Sequence, residues 1–237
     1  MSVNWNAFRY KDGIFGEFGI IVTCLIFIVG VWLFIEITGE VTDGDTRSFD
    51  EYVLSSLRQS ADLTKPIGPE WGEEVARDIT ALGSKTLLTL LVLSVAGFLL
   101  LKKHYGQAGL IVSVSVAGVL LMSGLKLYFM RERPDIIPHL ASAVNKSYPS
   151  GHTLMSAVVY LSLASMLSYF QKSRALKIYT ITVVIMITFL VGTSRVYLGV
   201  HYPTDVLAGW ALGFALASFC WILFRYFNYK LINEGKL

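Results

Sequence analysis

Charged residues are scarce in this chain. Asp, Glu, Lys and Arg make up 16% of its 237 residues, and 54% are hydrophobic, whereas soluble domains carry about 25% charged residues. This composition excludes a disordered chain and a typical cytosolic enzyme. Cysteine is also scarce, since Cys24 and Cys220 each lie inside an apolar block, which excludes a secreted disulfide scaffold and indicates packing. The net charge of +3 is too small to indicate a nucleic-acid partner.

Internal repeats and low-complexity runs are missing from the sequence. We therefore predict that residues 1–237 form a single membrane-embedded domain. No basic n-region with a short apolar stretch and a small-residue cleavage site precedes the first long apolar block, residues 19–37. That block is expected to remain as an uncleaved membrane helix.

The dominant feature of the sequence is a set of long apolar blocks. A bilayer core of about 30 Å needs about 20 apolar residues as helix, because backbone polar groups in lipid must be satisfied within the segment. Six blocks approach this length: 19–37, 86–101, 109–125, 152–170, 178–192 and 206–224. The second and fifth are short and are expected to recruit flanking residues. The predicted fold class is all-α, a bundle of six transmembrane helices.

Basic residues in the short connections predict the orientation of the bundle. They are Arg9, Lys11, Lys102, Lys103, Lys172, Arg174, Lys177, Arg225, Lys230 and Lys236. All fall on one side of a six-span chain. We predict that this side is the cytoplasmic side of a bacterial inner membrane and that both termini lie there. Residues 38–85, 126–151 and 193–205 then face the periplasm or exterior.

The first outer connection, residues 38–85, is long and mixed in charge. Its patterns predict amphipathic helices at 49–57 and 73–82, separated by Pro66, Gly68 and Pro69. Two interpretations remain open for it. It either lies on the membrane surface or caps a site, or it is an ordered outer loop without chemistry.

Unusual polar residues gather in the other two outer connections. They form three groups: Lys126 with Arg133-Pro134; Pro149-Ser150-Gly151-His152; and Ser194-Arg195 with His201 and Asp205. All lie at or near helix ends on one side of the membrane. Lys126, Arg133 and Arg195 together can surround one anion, because an Arg fork and a Lys point charge both suit phosphate oxygens. If the third helix continued, Lys126 and Arg133 would lie on one face, although Pro134 disfavours this.

The two remaining patterns concern helix starts. Ser150 is a candidate N-cap, Gly151 permits close approach of a ligand, and the first N–H groups of the helix form an anion site. His201 and Asp205 are four apart around Pro203, so a carboxylate there can fix the imidazole tautomer and leave the other nitrogen free to attack. His152 lies at another helix mouth, whereas His104 and His139 are expected to have no chemical role.

In order and spacing, these groups match the signature K-x6-RP, PSGH, SR-x5-H-x3-D, and the chain therefore resembles the type 2 phosphatidic acid phosphatase (PAP2) family. The resemblance implies a membrane phosphatase whose active site lies at the non-cytoplasmic helix ends. It implies that His201 is the nucleophile, that Asp205 orients it, and that His152 is the general acid and then the base. By the same resemblance, the phosphoryl oxygens are bound by Lys126, Arg133, Arg195, Ser150 and Gly151. We expect no cofactor and no metal, because Asp205 is committed to His201 and the motifs lack a cluster of acidic ligands.

The resemblance implies a lipid phosphate as substrate and membrane lipids as surroundings. The candidates are phosphatidic acid, phosphatidylglycerophosphate, undecaprenyl diphosphate and a lipid A phosphate. A phosphotransferase of the same fold is one alternative; another is a transporter or scaffold that binds anionic lipid, although it gives no reason for His201 with Asp205. The oligomeric state stays open. The spacing of Gly209, Gly213 and Ala217 predicts close packing against another helix.

Overall fold

The computed structural model describes residues 13–143, 146–171 and 173–233. Four of the basic residues used to predict the orientation, Arg9, Lys11, Lys172 and Lys236, lie outside these ranges. The elements are α1 (Gly13–Asp43), α2 (Arg47–Ser56), β1 (Arg58–Gln59), β2 (Asp62–Pro66), α3 (Gly72–Ala81), α4 (Lys85–Leu101), α5 (Tyr105–Phe129), α6 (Gly151–Phe170), α7 (Arg174–Tyr197) and α8 (Pro203–Asn233).

Within these described ranges, six helical segments are long and apolar enough to cross a membrane, which confirms the predicted all-α bundle. The fifth short block recruits flanking residues, as expected, and becomes α7, while the apolar stretch from Gly72 to Leu101 that contains the second block is divided at Ser84 into α3 and α4. Serine caps define the starts of two helices. Ser84 accepts a hydrogen bond from the backbone N–H of Leu87 at α4, and Ser173 accepts one from Leu176 at α7.

Helices α6 and α8 form the centre of the bundle and pack closely against each other. A Cβ atom on Gly213 would lie 2.6 Å from the Cβ of Ala157, and one on Gly209 would lie 3.0 Å from the Ser150 carbonyl oxygen. The predicted role of these glycines in helix packing is confirmed. At one end of this pair, the Ser150 N–H donates to the Asp205 carbonyl 3.0 Å away, so the N-termini of α6 and α8 are adjacent.

The connection between the first two apolar blocks, residues 38–85, folds onto that same end of the bundle. The two amphipathic helices predicted there are α2 and α3, with ends within two residues of those expected, but the antiparallel β1–β2 pair between them was not predicted. Leu54 of α2 is buried with Ile137, Val196 and Val206. The segment therefore packs on the loops and helix ends that carry the polar motifs.

Candidate active site

All eight predicted site residues come together at one end of the bundle. Lys126 lies in the last turn of α5, Ser150 to His152 lie at the start of α6, Arg195 lies in the last turn of α7, and Asp205 lies in the first turn of α8, while Arg133 and His201 lie in the adjoining loops. Lys126 lies close enough to Arg133, Asp205 and Arg195 for their charges to act on its ammonium group. His152 lies similarly close to Arg195, His201, Arg133 and Lys126. Helix topology thus gathers residues that lie up to about eighty positions apart in the sequence.

His201 and Asp205 form a buried pair. His201 Nδ1 lies 3.1 Å from Asp205 Oδ2, and both side chains are almost completely buried. Asp205 is the third residue of α8, and His201 lies two residues before the helix begins at Pro203. Burial lowers the pKa of His201 to about 3, against the opposing effect of Asp205. The imidazole is therefore neutral at pH 7, and a proton on Nδ1 leaves the Nε2 lone pair available.

Arg133 donates a hydrogen bond to the other ring nitrogen of that histidine. Its Nη1 lies 3.3 Å from His201 Nε2 and also donates to the Val200 carbonyl. Burial lowers the pKa of Arg133 below its usual value, but the group stays cationic at neutral pH. A guanidinium beside a neutral imidazole nitrogen can attract an anionic group to the point where that nitrogen attacks.

Lys126 and Arg133 do not share a helix face. Helix α5 ends at Phe129, and Met130 has a left-handed backbone with φ of 47°. The chain therefore turns away before it reaches Arg133, in agreement with the effect of Pro134 on the preceding residue. The Lys126 ammonium donates to the carbonyls of Lys146 and Ser147, the latter 3.2 Å away.

Arg195 and His152 form the less constrained part of the site. Arg195 is 3% exposed, and its Nη1 donates to Thr80 Oγ1 of α3 at 3.1 Å. Its Nε is buried without an acceptor in the described part of the chain. A buried donor of this kind is costly unless a ligand satisfies it. His152 is half-buried, and within the described residues its ring makes no hydrogen bond.

Ser150 lies at the N-cap of α6, but its hydroxyl does not cap the helix in the described structure. Instead, its Oγ accepts a hydrogen bond from Thr153 Oγ1 at 2.9 Å, and the side chain is fully buried. A Cβ atom on Gly151 would lie 2.5 Å from Met122 Sδ. This glycine therefore lets α6 begin close against α5.

Sequence reasoning missed several groups around Asp205. Ser147 Oγ donates to Asp205 Oδ2 and lies 3.4 Å from His201 Nδ1. Arg131 donates to Asp205 Oδ1 at 2.8 Å and to Asp50 Oδ2 at 2.7 Å. A signal for Arg131 existed, because it is a cation near a helix end and two residues from Arg133. Asp50 carried none, since it lies in another outer connection.

Two further histidines lie outside this arrangement. His104 is at the N-cap of α5, at the opposite end of that helix from Lys126. His139 Nε2 lies 2.7 Å from the Pro134 carbonyl oxygen. His139 also lines a cleft of about 540 Å³ together with Glu132, Arg133, Pro134, Asp135 and Ile137. That cleft therefore lies beside Arg133.

Carboxylates near the site are already engaged. Asp205 accepts from Ser147, Tyr202 N–H and Arg131, and Asp50 accepts from Thr204 and Arg131. Among residues 13–143, 146–171 and 173–233, no group of three His, Cys, Asp or Glu side chains is arranged to hold a metal ion.

Comparison with known proteins identifies the class of this molecule. Residues 85–229 match the sequence profile of the PAP2 superfamily. Phosphatidylglycerophosphatase B of Bacillus subtilis is 40% identical over 151 residues, which are 62% of this chain and 72% of that protein. Lipid A 4'-phosphatase of Porphyromonas gingivalis is 32% identical, over 58% of this chain and 62% of that protein.

A solved structure supports the same assignment. The crystal structure of a transmembrane PAP2 type phosphatidylglycerolphosphate phosphatase from Bacillus subtilis superposes with a TM-score of 0.73 at 31% identity, covering 84% of this chain and 96% of that one. The fold and these similarities define an integral, multi-pass membrane phosphatase. The chain belongs to the PAP2 superfamily, and its activity is that of a lipid phosphatase.

Proposed function

We propose that this protein removes the terminal phosphate of phosphatidylglycerophosphate through a covalent intermediate on His201. The names of the Bacillus subtilis relative and of the crystal structure favour that lipid over phosphatidic acid, undecaprenyl diphosphate and lipid A phosphate. The observation that carries the mechanism is the His201–Asp205 pair, in which the unprotonated Nε2 of His201 accepts from Arg133 at 3.3 Å. A neutral, oriented imidazole beside a cation is what a nucleophile for phosphorus requires.

The first chemical step transfers the phosphoryl group to the enzyme. His201 Nε2 forms a bond to phosphorus as the bond from phosphorus to the lipid oxygen breaks. The proton that the departing alkoxide needs comes from His152, in its protonated form. Asp205 stabilises the positive charge that develops on the His201 ring.

The second step regenerates the enzyme. Water gives a proton to His152, and its oxygen attacks phosphorus while the bond to His201 Nε2 breaks. Inorganic phosphate leaves, and both histidines return to their starting forms. The same group thus acts as acid and then as base, as microscopic reversibility requires.

Phosphate binding in this scheme depends on cations and helix amides. Lys126, Arg133 and Arg195 surround the phosphoryl oxygens, and the free Nε of Arg195 supplies a donor. The Gly151 N–H at the start of α6 adds a further donor, with Ser150 beside it. These groups can offset the phosphate charge, and we propose that the reaction needs no divalent metal.

We further propose that residues 1–237 act as one domain, in a bacterial inner membrane, with the site facing the periplasm. A topology experiment tests the orientation. Cysteine at Glu132, an exposed position of the outer cleft, should react with an impermeant reagent in intact cells. Cysteine at Ser173, which precedes α7 at the other end of the bundle, should not. The reverse pattern would contradict the orientation.

A panel of lipid phosphates tests the function. Purified protein should release free phosphate from phosphatidylglycerophosphate in preference to the other three candidates, and the His201→Ala protein should release none. Phosphate release that depends on an added acceptor lipid would indicate a phosphotransferase instead. Absence of release from every lipid would contradict an enzymatic role on these substrates.

A further inference from the structure

Helix α2 contributes one carboxylate, that of Asp50, to the centre of the site. Asp50 is fully buried. Its Oδ1 accepts from the Thr204 backbone N–H at 3.0 Å, and its Oδ2 accepts from Thr204 Oγ1 at 2.6 Å and from Arg131 at 2.7 Å. A buried carboxylate stays charged only where such partners replace water. Every partner of Asp50 in this set lies at the start of α8 or in the loop after α5.

Arg131 connects Asp50 to Asp205, the carboxylate that pairs with His201. Its Nη1 donates to Asp205 Oδ1 at 2.8 Å and to Thr204 Oγ1 at 2.9 Å, while its Nη2 donates to Asp50. The guanidinium lies over the Tyr202 ring, with 4.3 Å between its central carbon and the ring centroid. A planar fork between two carboxylates fixes both in position, which a lysine ammonium does not do.

This bridge determines which oxygen of Asp205 remains for the nucleophile. Arg131 occupies Oδ1, so Oδ2 faces His201 Nδ1 at 3.1 Å and accepts from the Tyr202 N–H at 3.0 Å. The carboxylate cannot rotate without breaking these bonds. Asp50 also places a negative charge against Arg131, whose positive charge would otherwise oppose the charge that develops on His201 during attack.

We propose that Asp50 is a positioning residue for the nucleophile His201, acting through Arg131 and Thr204. Helix α2 is therefore part of the catalytic unit, although it lies before the matched region, residues 85–229. This proposal rests on the function of His201 proposed above. It assigns to the outer segment a role in turnover, and not only in covering the helix ends.

The neighbouring acid on α2 provides a matched control. Glu51 pairs with Arg47 at 2.7 Å on the exposed side of the helix and does not contact Arg131. Asp50→Asn and Glu51→Gln each remove one negative charge from the same turn. We compare kcat and KM of the purified full-length proteins on phosphatidylglycerophosphate, together with inhibition by inorganic phosphate as a measure of the anion site.

Asp50→Asn should lower kcat about 10- to 100-fold, because His201 loses the orientation that it holds through Arg131 and Thr204. KM and phosphate inhibition should stay within about twofold, because Lys126, Arg133 and Arg195 are untouched. Glu51→Gln should match wild type in every measurement. A purely structural role predicts a lower melting temperature with unchanged kcat per folded molecule, and that result would overturn the proposal.

Variants of Arg131 test the same bridge if Asp50→Asn does not fold. Arg131→Gln should lower kcat, and Arg131→Lys should recover only part of it, since an ammonium holds one carboxylate at a time. The double variant Asp50→Asn/Arg131→Gln should be no worse than Arg131→Gln alone, because both changes break one network. Full recovery by lysine or additive losses would contradict the proposal.

His201→Ala, measured in the same series, separates this proposal from the one on which it rests. If His201→Ala keeps substantial activity, the covalent mechanism fails. If His201→Ala is inactive but Asp50→Asn behaves like Glu51→Gln, only the role of Asp50 fails.

Discussion

The two histidines of the site lie at the mouths of adjacent helices in contrasting surroundings. His201 is 1% exposed and is held by Asp205, with Ser147 and Arg133 within 3.4 Å of its ring nitrogens. His152 is half-buried, and in the described part of the chain its ring has no hydrogen-bond partner. A nucleophile benefits from one fixed orientation, whereas an acid that later activates water must meet two different oxygens. The contrast fits the two roles proposed for these side chains.

Replacing each histidine gives the largest expected effects and separates the roles. His201→Ala should abolish turnover of both a lipid phosphate and p-nitrophenyl phosphate, because no phosphoryl-enzyme forms without it. His152→Ala should impair the lipid phosphate far more than the aryl ester, since nitrophenolate leaves readily without a proton. Steady-state kinetics on the two substrates measures both effects.

Trapping of labelled phosphate provides an independent check on these variants. Label should appear on the wild-type and His152→Ala proteins and not on His201→Ala. Equal impairment of both substrates by His152→Ala would mean that its role is positional and that another group is the acid.

Asp205→Asn tests whether the fixed orientation of His201 matters. An amide can present its NH₂ group to Nδ1 and so favour the wrong tautomer, and we expect kcat to fall by about 10³- to 10⁴-fold. Binding of inorganic phosphate should change little, because Arg133 and Arg195 remain. A loss smaller than tenfold in kcat would contradict the importance of this pair.

A smaller effect is expected on stability at acid pH. The pKa of His201 is lowered to about 3 in the folded protein, compared with about 6.5 in an unfolded chain. The unfolded state therefore binds the extra proton first, and stability is lost as the pH falls from about 6.5 toward 3. The melting temperature of wild type should fall more steeply over this range than that of His201→Gln. Parallel curves would show that the ring is not held neutral.

Chelation should have the smallest effect. Excess EDTA should leave the rate on phosphatidylglycerophosphate unchanged, because three cations and a helix N-terminus offset the phosphate charge. Loss of activity that Mg²⁺ restores would reveal a metal requirement. This measurement also tests the contrast between His201 and His152, since a metal would supply an activated water without His152.

Much of this arrangement could be predicted from local patterns. Apolar length gave the six spans, and motif spacing identified His201, Asp205 and the cations at the helix ends. Lys126 and Arg133 do not share a helix face, as Pro134 indicated, because Met130 turns the chain between them. Ser150 occupies the predicted N-cap position, but its hydroxyl accepts from Thr153 and makes no capping hydrogen bond to a backbone N–H in the described structure.

Other features depend on tertiary contacts that no local pattern records. Asp50 and Arg131 are 81 positions apart and meet only because α2 folds over the helix ends. The carboxylate of Asp50 resembles any polar group of an amphipathic helix until its burial is known. Residues of this kind need a structure, because periodicity predicts which face is buried and does not predict what a buried acid will meet.

The close contact of α6 with α8 also has a mechanical consequence. Gly209 and Gly213 bring the backbones of the two helices close together near their N-termini, so a larger side chain at either position would push the two helices apart. His152 lies at the start of one helix and His201 just before the start of the other, so the packing of these helices sets the spacing between the two histidines. A substitution that separates the helices would therefore widen the gap between the two histidines without replacing either of them.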